Sequence, residues 1–268
     1  MPDPSIAFIC PTHNAGKLVE YTRSSLETFF ETTPMGLAIV VDDASRNWPP
    51  RYETDLRLLA EKYPGSGLHI KRHTKPGGLT RSWNAGLSMA ERLGVEYAIP
   101  ANNDILFTPG WSDGLIRALA SGYNLVGPVS NAPGVTAKGR QDVKKHLPEY
   151  ELTDAGESLQ RTAAALREKH SGKVLPSKVN GFFLMAAMSS WVKNKYSRTH
   201  FFRPVNRHMP SGRVNPDPLN CGNEDEWQSR AGKLGMKFGI ALDSFIFHYR
   251  SVTRGSRHCK GAWFRKHA

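Results

Sequence analysis

Three short apolar runs in the first hundred residues each end on small polar or acidic residues, and stretches of helical spacing separate them. Residues 5–10 lead into Pro11-Thr12-His13-Asn14, residues 37–41 into Asp42-Asp43, and residues 97–100 into Ala101-Asn102-Asn103-Asp104. Runs this short and continuous read as strands buried on both faces. Within residues 15–31, Leu18, Thr22, Leu26, Phe29 and Phe30 fall near helical spacing. Residues 79–93 read as a helix stopped at Gly94, residues 111–120 as another, and residues 68–71 and 124–129 as further strands. Strands separated by helices imply parallel pairing through crossovers. The expected fold class is therefore α/β, a mostly parallel, Rossmann-like sheet flanked by helices. The polar clusters should then meet at the C-terminal edge of that sheet, where open α/β folds take their ligands.

The second half is less regular. Residues 132–148 read as a loop, 155–169 as an exposed helix, 182–188 as a core strand, 224–234 as a helix and 238–249 as a final strand. Residues 191–218 mix bases, aromatics and prolines and read as a long ordered loop. No repeat or low-complexity linker divides the chain, so residues 1–268 are expected to form one composite domain with halves 1–134 and 135–268. No run approaches the roughly 18 apolar residues of a membrane span. The first residues lack the basic-then-apolar layout of a signal peptide, which gives a cytoplasmic expectation. Cys10, Cys221 and Cys259 are too few and too scattered for a disulfide framework or a metal-binding cysteine pair.

Charge separates the halves. Residues 1–134 carry a net −1 and residues 135–268 a net +13. Lys193, Lys195, Arg198, Arg203, Arg207 and Arg213 lie in residues 179–216 with no acid among them, and residues 250–268 hold six more bases, again without an acid. Asymmetry of this kind points to a polyanionic partner. Trp191, Tyr196, Phe201, Phe202 and Trp263 stand among these bases and are expected to be able to stack on an extruded nucleobase.

The polar clusters carry the chemistry. Asp104 after a buried strand suits a divalent ion on a diphosphate, because hard cations take one or two protein carboxylates and complete their shell with phosphate oxygens. Asp42-Asp43 can accept from a nucleobase N–H or a ribose hydroxyl, and can equally serve turn and capping chemistry with Ser45. Gly77-Gly78 followed by Arg81 at a helix start offers amide and guanidinium donors to phosphate. Glu224-Asp225-Glu226 opens a helix in a very basic region; an acid there can deprotonate an acceptor hydroxyl, while the other two stabilise the helix start. His248 ends the last strand and can supply a nitrogen ligand to the ion on Asp104. A dehydrogenase-type dinucleotide site is disfavoured, since no G-x-G-x-x-G follows the first strand.

In order and spacing these pieces resemble glycosyltransferase family 2, the inverting nucleotide-sugar transferases with the GT-A fold. The resemblance runs from about Ile6 to Thr253 through PTHN, VDDAS, GLTRSWNAGL, the NND before ILFTPGW, GPVSN, NGFFLMA, GNEDEWQSRAGKLG and FHYRSVT. It implies a nucleotide-sugar-binding first half and a basic acceptor-binding second half. It implies that Asp43, with Asp42 beside it, contacts the nucleobase, and that Thr12, Asn14, Arg81, Asn84, Asn102 and Asn103 help to hold the donor. It implies Mn²⁺ or Mg²⁺ on Asp104 and His248, and Asp225 as the catalytic base. The first position of the family's Asp-x-Asp element is here Asn102, and residues 191–218 match no element of the family. Together with the charge, the resemblance leaves two acceptors: DNA carrying a hydroxymethylated pyrimidine, which the aromatic and basic interleaving favours, or an anionic or lipid-linked envelope glycan. A nucleic-acid-binding module on a dead transferase scaffold is the non-enzymatic alternative, against which intact Asp43, Asp104 and Asp225 argue.

Overall fold

The computed structural model describes residues 5–13, 15–134, 139–149, 151, 153–208, 214–215 and 217–249. Asn14, Arg213 and the basic segment 250–268 with Trp263 lie outside these residues. The elements in chain order are β1 (Ile6–Thr12), α1 (Ala15–Thr32), β2 (Leu37–Asp42), α2 (Tyr52–Glu61), β3 (Gly67–Arg72), α3 (Gly78–Arg92), β4 (Tyr97–Pro100), β5 (Ile105–Phe107), α4 (Trp111–Ala120) and β6 (Leu125–Val129). A short 3-10 turn (Val143–Lys145) precedes α5 (Gly156–His170), β7 (Val174–Pro176), β8 (Ala186–Ala187), α6 (Met188–Lys193), α7 (Asn223–Lys233) and β9 (Phe238–His248).

The first sheet has the order β3-β2-β1-β4-β8. Its first four strands are parallel and β8 is antiparallel. Period-2 alternation sends successive residues of β1 to opposite faces. Phe8 and Cys10 join a core with Phe29, Phe107, Trp111 and Phe183. Ala7 and Ile9 join another with Trp83, Trp191, Phe202 and Trp227. Helix α3 rides close on β1: a Cβ at Gly86 would lie 2.2 Å from Ile9 Cγ2, so only glycine fits there. Strand β9 organises a second sheet, pairing antiparallel with β5, parallel with β6 and antiparallel with β7.

Two expectations of the second half change. The expected strand over residues 182–188 is regular only at Ala186–Ala187. Its earlier residues bond alternately to two different strands: Leu184 N to Pro100 O at 3.1 Å on one side, and Met185 N to Val126 O at 2.9 Å on the other. The segment is thus a seam between the sheets, and no single ladder runs along it. The helix expected to be exposed, α5, buries Leu159, Ala163 and Leu166 against β9 on an i, i+4, i+7 stripe. Helix α2 is an element the sequence reading lacks; it buries Tyr52, Leu56 and Leu59. Among the described residues no helix is long and apolar enough to cross a membrane.

Candidate functional site

Parallel pairing of β1, β2 and β4 brings three polar chain ends to one edge of the first sheet. Strand β9 returns to the same edge, because its antiparallel register on β5 sets His248 opposite Ile105, and Tyr249 N bonds Asp104 O at 2.9 Å. The N-terminus of α7 closes the far side. A cavity of about 860 Å³ results, and Asp43, Asp104, Asp225 and His248, from four distant parts of the chain, all line it.

At one end, the Asp43 carboxylate accepts from Gly77 N at 2.9 Å, Gly78 N at 2.7 Å and Arg81 Nη2 at 2.7 Å. Gly78 has φ 82°, a conformation that favours glycine, and a Cβ there would meet Leu219. Arg81 reaches the site only through Asp43. Thr12 is buried at the cavity wall, and its hydroxyl has no hydrogen-bond partner among the described residues.

At the centre, His248 Nε2 lies 3.3 Å from Asp104 Oδ1, with both side chains buried. His248 Nδ1 is 2.8 Å from the carbonyl of Ala132, so Nδ1 carries the proton and donates. Nε2 faces Asp104, and the ring is fixed by stacking on Phe182 at 5.1 Å and 15°. Asn131 brackets the backbone, its Oδ1 accepting from His248 N and its Nδ2 donating to His248 O. A rigid nitrogen donor and a carboxylate at this separation fit one divalent ion. Among the described residues no group of three or more His, Cys, Asp or Glu could hold a metal. Two protein ligands therefore leave most of the shell to a diphosphate and water, as hard cations on nucleotides prefer. Behind the pair, burial first and Asp104 second push the Cys10 thiol up, so it stays neutral and inert.

Comparison of the sequence with protein-family models and with curated proteins gave no match. Comparison of the structure with solved structures gave several. A mannosyltransferase of Pyrobaculum calidifontis, PcManGT, solved with GDP-Man and Mn²⁺, has TM-score 0.57 and 17% identity, over 94% of this chain and 58% of its own. GalNAc-T7, solved with UDP, GalNAc and Mn²⁺, has TM-score 0.60 and 12% identity, over 91% of this chain and 43% of its own. S. aureus TarS 1–349 has TM-score 0.51 and 14% identity, over 91% of this chain and 60% of its own. The fold is GT-A. The chain spans between 43% and 60% of the length of these glycosyltransferases.

Several residues expected at the donor site do other work in this GT-A chain. Asp42 is the last residue of β2 and points away from the cavity, opposite to Asp43. Wholly buried, it accepts from Ser45 N at 3.1 Å, from the Ser45 hydroxyl, and from Arg72 Nε at 3.3 Å. These bonds are turn chemistry, and Asp42 does not line the cavity. Asn84 also lies off the cavity, on the buried side of α3. Its Oδ1 accepts from Phe201 N at 2.8 Å and Phe202 N at 2.9 Å, and its Nδ2 donates to Phe202 O at 3.1 Å. Asn103 borders the cavity, but its amide donates to Thr22 Oγ1 at 3.0 Å and braces the loop on α1. Trp191, Phe201 and Phe202 have no exposed surface and cannot stack on a nucleobase. Burial of their rings in the core between α3 and α7 outweighs their basic sequence neighbours. Tyr196, 42% exposed, is the described ring of that group at the surface.

The structure gives Glu224, read in the sequence as a helix stabiliser, a place in the site, and adds Leu219 and Asn220 to it. Glu224 lines the cavity beside Asp225, its carboxylate so close to Gly181 that a Cβ there would lie 2.7 Å from it. Leu219 and Asn220 also line it and dock on the first turn of α3. Leu79 N donates to Asn220 Oδ1 at 2.8 Å and Thr80 N to Leu219 O at 3.1 Å, which satisfies amides a helix start leaves open. The glycine in NGFFLMA and the asparagines around Cys221 were the available signals.

Proposed function

We propose that the chain is a metal-dependent, inverting glycosyltransferase of the family 2 kind, moving a sugar from a nucleotide-diphosphate sugar to a hydroxyl of a polyanionic acceptor. One observation carries the reading: Asp43, Asp104, His248 and Asp225 share one cavity of about 860 Å³ at the C-terminal edge of a parallel sheet. Asp43, fixed by the amides of Gly77 and Gly78, receives the nucleobase end, with Thr12 beside it. Asp104 and His248 hold Mn²⁺ or Mg²⁺, which when bound neutralises charge developing on the departing diphosphate. Asp225, on the first turn of α7, takes the proton of the acceptor hydroxyl on its carboxylate. The freed oxygen attacks the anomeric carbon from the face opposite the diphosphate, and the configuration inverts.

Exposed Lys193, Arg198, Arg203 and Arg207 on the α6 side support a polyanionic acceptor. With three of the aromatic rings buried, stacking no longer favours hydroxymethylated DNA over an anionic glycan, so both enter the test. Nucleotide-sugar hydrolysis is followed with Mn²⁺ across UDP and GDP donors. Asp225→Asn should lower turnover on the order of 10²–10⁴-fold while nucleotide binding persists. Undiminished turnover in that variant removes the mechanism. Transfer to hydroxymethylated DNA, unmodified DNA and an anionic polysaccharide then separates the acceptors, and transfer to DNA should weaken steeply with salt.

A further inference from the structure

Residues 191–218, the stretch that matches no element of the family, build a surface of mixed chemistry. Two extended parts of it run side by side: Asn206 N donates to Pro218 O at 2.9 Å, Asn215 N to Arg207 O at 2.9 Å, and His208 pairs with Val214. Exposure alternates along the first part. Asn206 is buried, its side-chain amide donating to Asn223 Oδ1 at 2.8 Å, while Arg203, Val205 and Arg207 turn to solvent. Val214, on the second part, is 75% exposed. Tyr196, between exposed Lys193 and Arg198, has the Arg203 guanidinium 5.6 Å from its ring centre, which joins the end of α6 to this face.

Exposed apolar side chains scattered singly are ordinary; gathered ones mark a contact surface. Of nine large apolar side chains exposed among the described residues, five lie here: Val192, Tyr196, Val205, Val214 and Leu219. They stand among four exposed bases, and no acid occurs from residue 179 to residue 216. A polyanion in water engages the bases and leaves the aliphatic side chains wet. An anionic bilayer satisfies both, since its headgroups meet the charges, its acyl boundary takes the valines, and a tyrosine ring suits the level between. We propose that the face carrying Tyr196, Arg203, Val205, Arg207 and Val214 docks the protein on an anionic membrane surface. Leu219 belongs both to this face and to the cavity wall, so a docked chain turns its cavity mouth toward the headgroups. The proposal goes beyond the transferase reading and concerns the face alone; its test does not read sugar transfer.

The assay is sedimentation of the full chain with vesicles of phosphatidylglycerol and phosphatidylcholine, and with vesicles of phosphatidylcholine alone. The wild type should sediment with the first and stay in solution with the second. Arg198→Ser with Arg207→Ser should weaken attachment by about 25-fold, at roughly fivefold for each base beside an anionic leaflet. Val205→Ser with Val214→Ser should weaken it by about tenfold or more, a factor that added salt does not shrink. Lys62→Ser with Lys169→Ser removes the same charge from exposed positions after α2 and on α5, and should leave attachment near the wild type. Residues 250–268 stay in every variant, so the differences belong to the face. Every altered side chain is exposed, and thermal melts check that folding is retained. Equal weakening by the two charge variants is unspecific electrostatics and overturns the proposal. Undiminished attachment in the valine variant overturns it as well, as does a wild type that stays in solution with both kinds of vesicle. A valine variant that attaches normally and binds single-stranded DNA with steep salt dependence assigns the face to nucleic acid instead.

Discussion

Asn84→Ala separates two roles for a residue that the family resemblance assigns to the donor. In the structure Asn84 holds the segment after α6, bonding the amides of Phe201 and Phe202 and the carbonyl of Phe202. All three groups belong to residues with no exposed surface. Truncation to alanine leaves them buried without partners, at about 1–3 kcal/mol each. Relaxation of the segment toward water recovers part of that, leaving a loss of about 3–5 kcal/mol. Against a total stability of about 5–15 kcal/mol, this is a large share. The melting temperature should fall by about 6–20 °C, at roughly 2–4 °C per kcal/mol for a chain of this size class. Urea unfolding followed by tryptophan fluorescence is a direct readout, because Trp83 and Trp191 pack tilted against Phe202, with ring centroids 5.3 and 5.6 Å away. The midpoint should drop with little change in slope. Stability within about 1 kcal/mol of wild type, a value below the cost of one orphaned amide, together with lost nucleotide affinity, would return Asn84 to the donor site and refute the clamp.

Three further outcomes follow from the same structure. Gly86→Ala drives a methyl into Ile9 and should cost about 1–3 kcal/mol in urea unfolding, despite the better helix propensity of alanine. Thr80→Val removes the hydroxyl that reaches Leu219 O at 2.8 Å and Asn223 Oδ1 at 2.7 Å; calorimetry should show a loss of about 1–2 kcal/mol that Thr80→Ser restores. Burial, ahead of its neighbouring cations, lowers the pKa of His170 below the ordinary value of 6.5. Above that value His170 is neutral in both states and stability is unaffected; below it the unfolded chain takes up the proton first, so stability falls with pH. Equilibrium unfolding between pH 7 and pH 5 should therefore show a slope that His170→Asn reduces, and an identical slope in the variant would count against it.

The parts of the fold that were legible in the sequence are those fixed by local period. Strands β1, β2, β3 and β4 and helices α3, α4 and α7 follow from apolar runs and helical spacing, because each is specified by residues within a dozen positions of one another. The parts that were not legible depend on partners far along the chain. Residues 182–188 look like any buried strand, and only their split bonding to Pro100 and Val126 makes them a seam. Trp191, Phe201 and Phe202 sit among bases in sequence, yet side chains with long stems can turn their charge outward while a ring one residue away turns in. Nothing local reports which of the two the solvent meets.

The same distinction explains the site. Asp42 and Asp43 are chemically equivalent in the sequence, and which one enters the cavity is decided by a single residue of strand length. With β2 ending at Val41 both would lie in a turn; because β2 extends to Asp42, alternation buries that carboxylate on Ser45 and Arg72 and delivers Asp43 to the glycine amides. His248 makes the complementary case. A histidine in an apolar strand carries no local mark of a ligand, and its standing comes from the register that sets it against Ile105, one residue past Asp104. The family resemblance supplied that pairing where the chain's own periodicity could not, since a motif is a stored record of long-range contacts. Where the resemblance was carried over to residues whose local geometry it does not constrain, as at Asp42 and Asn84, the fold places the side chain off the cavity and occupies it with hydrogen bonds of its own.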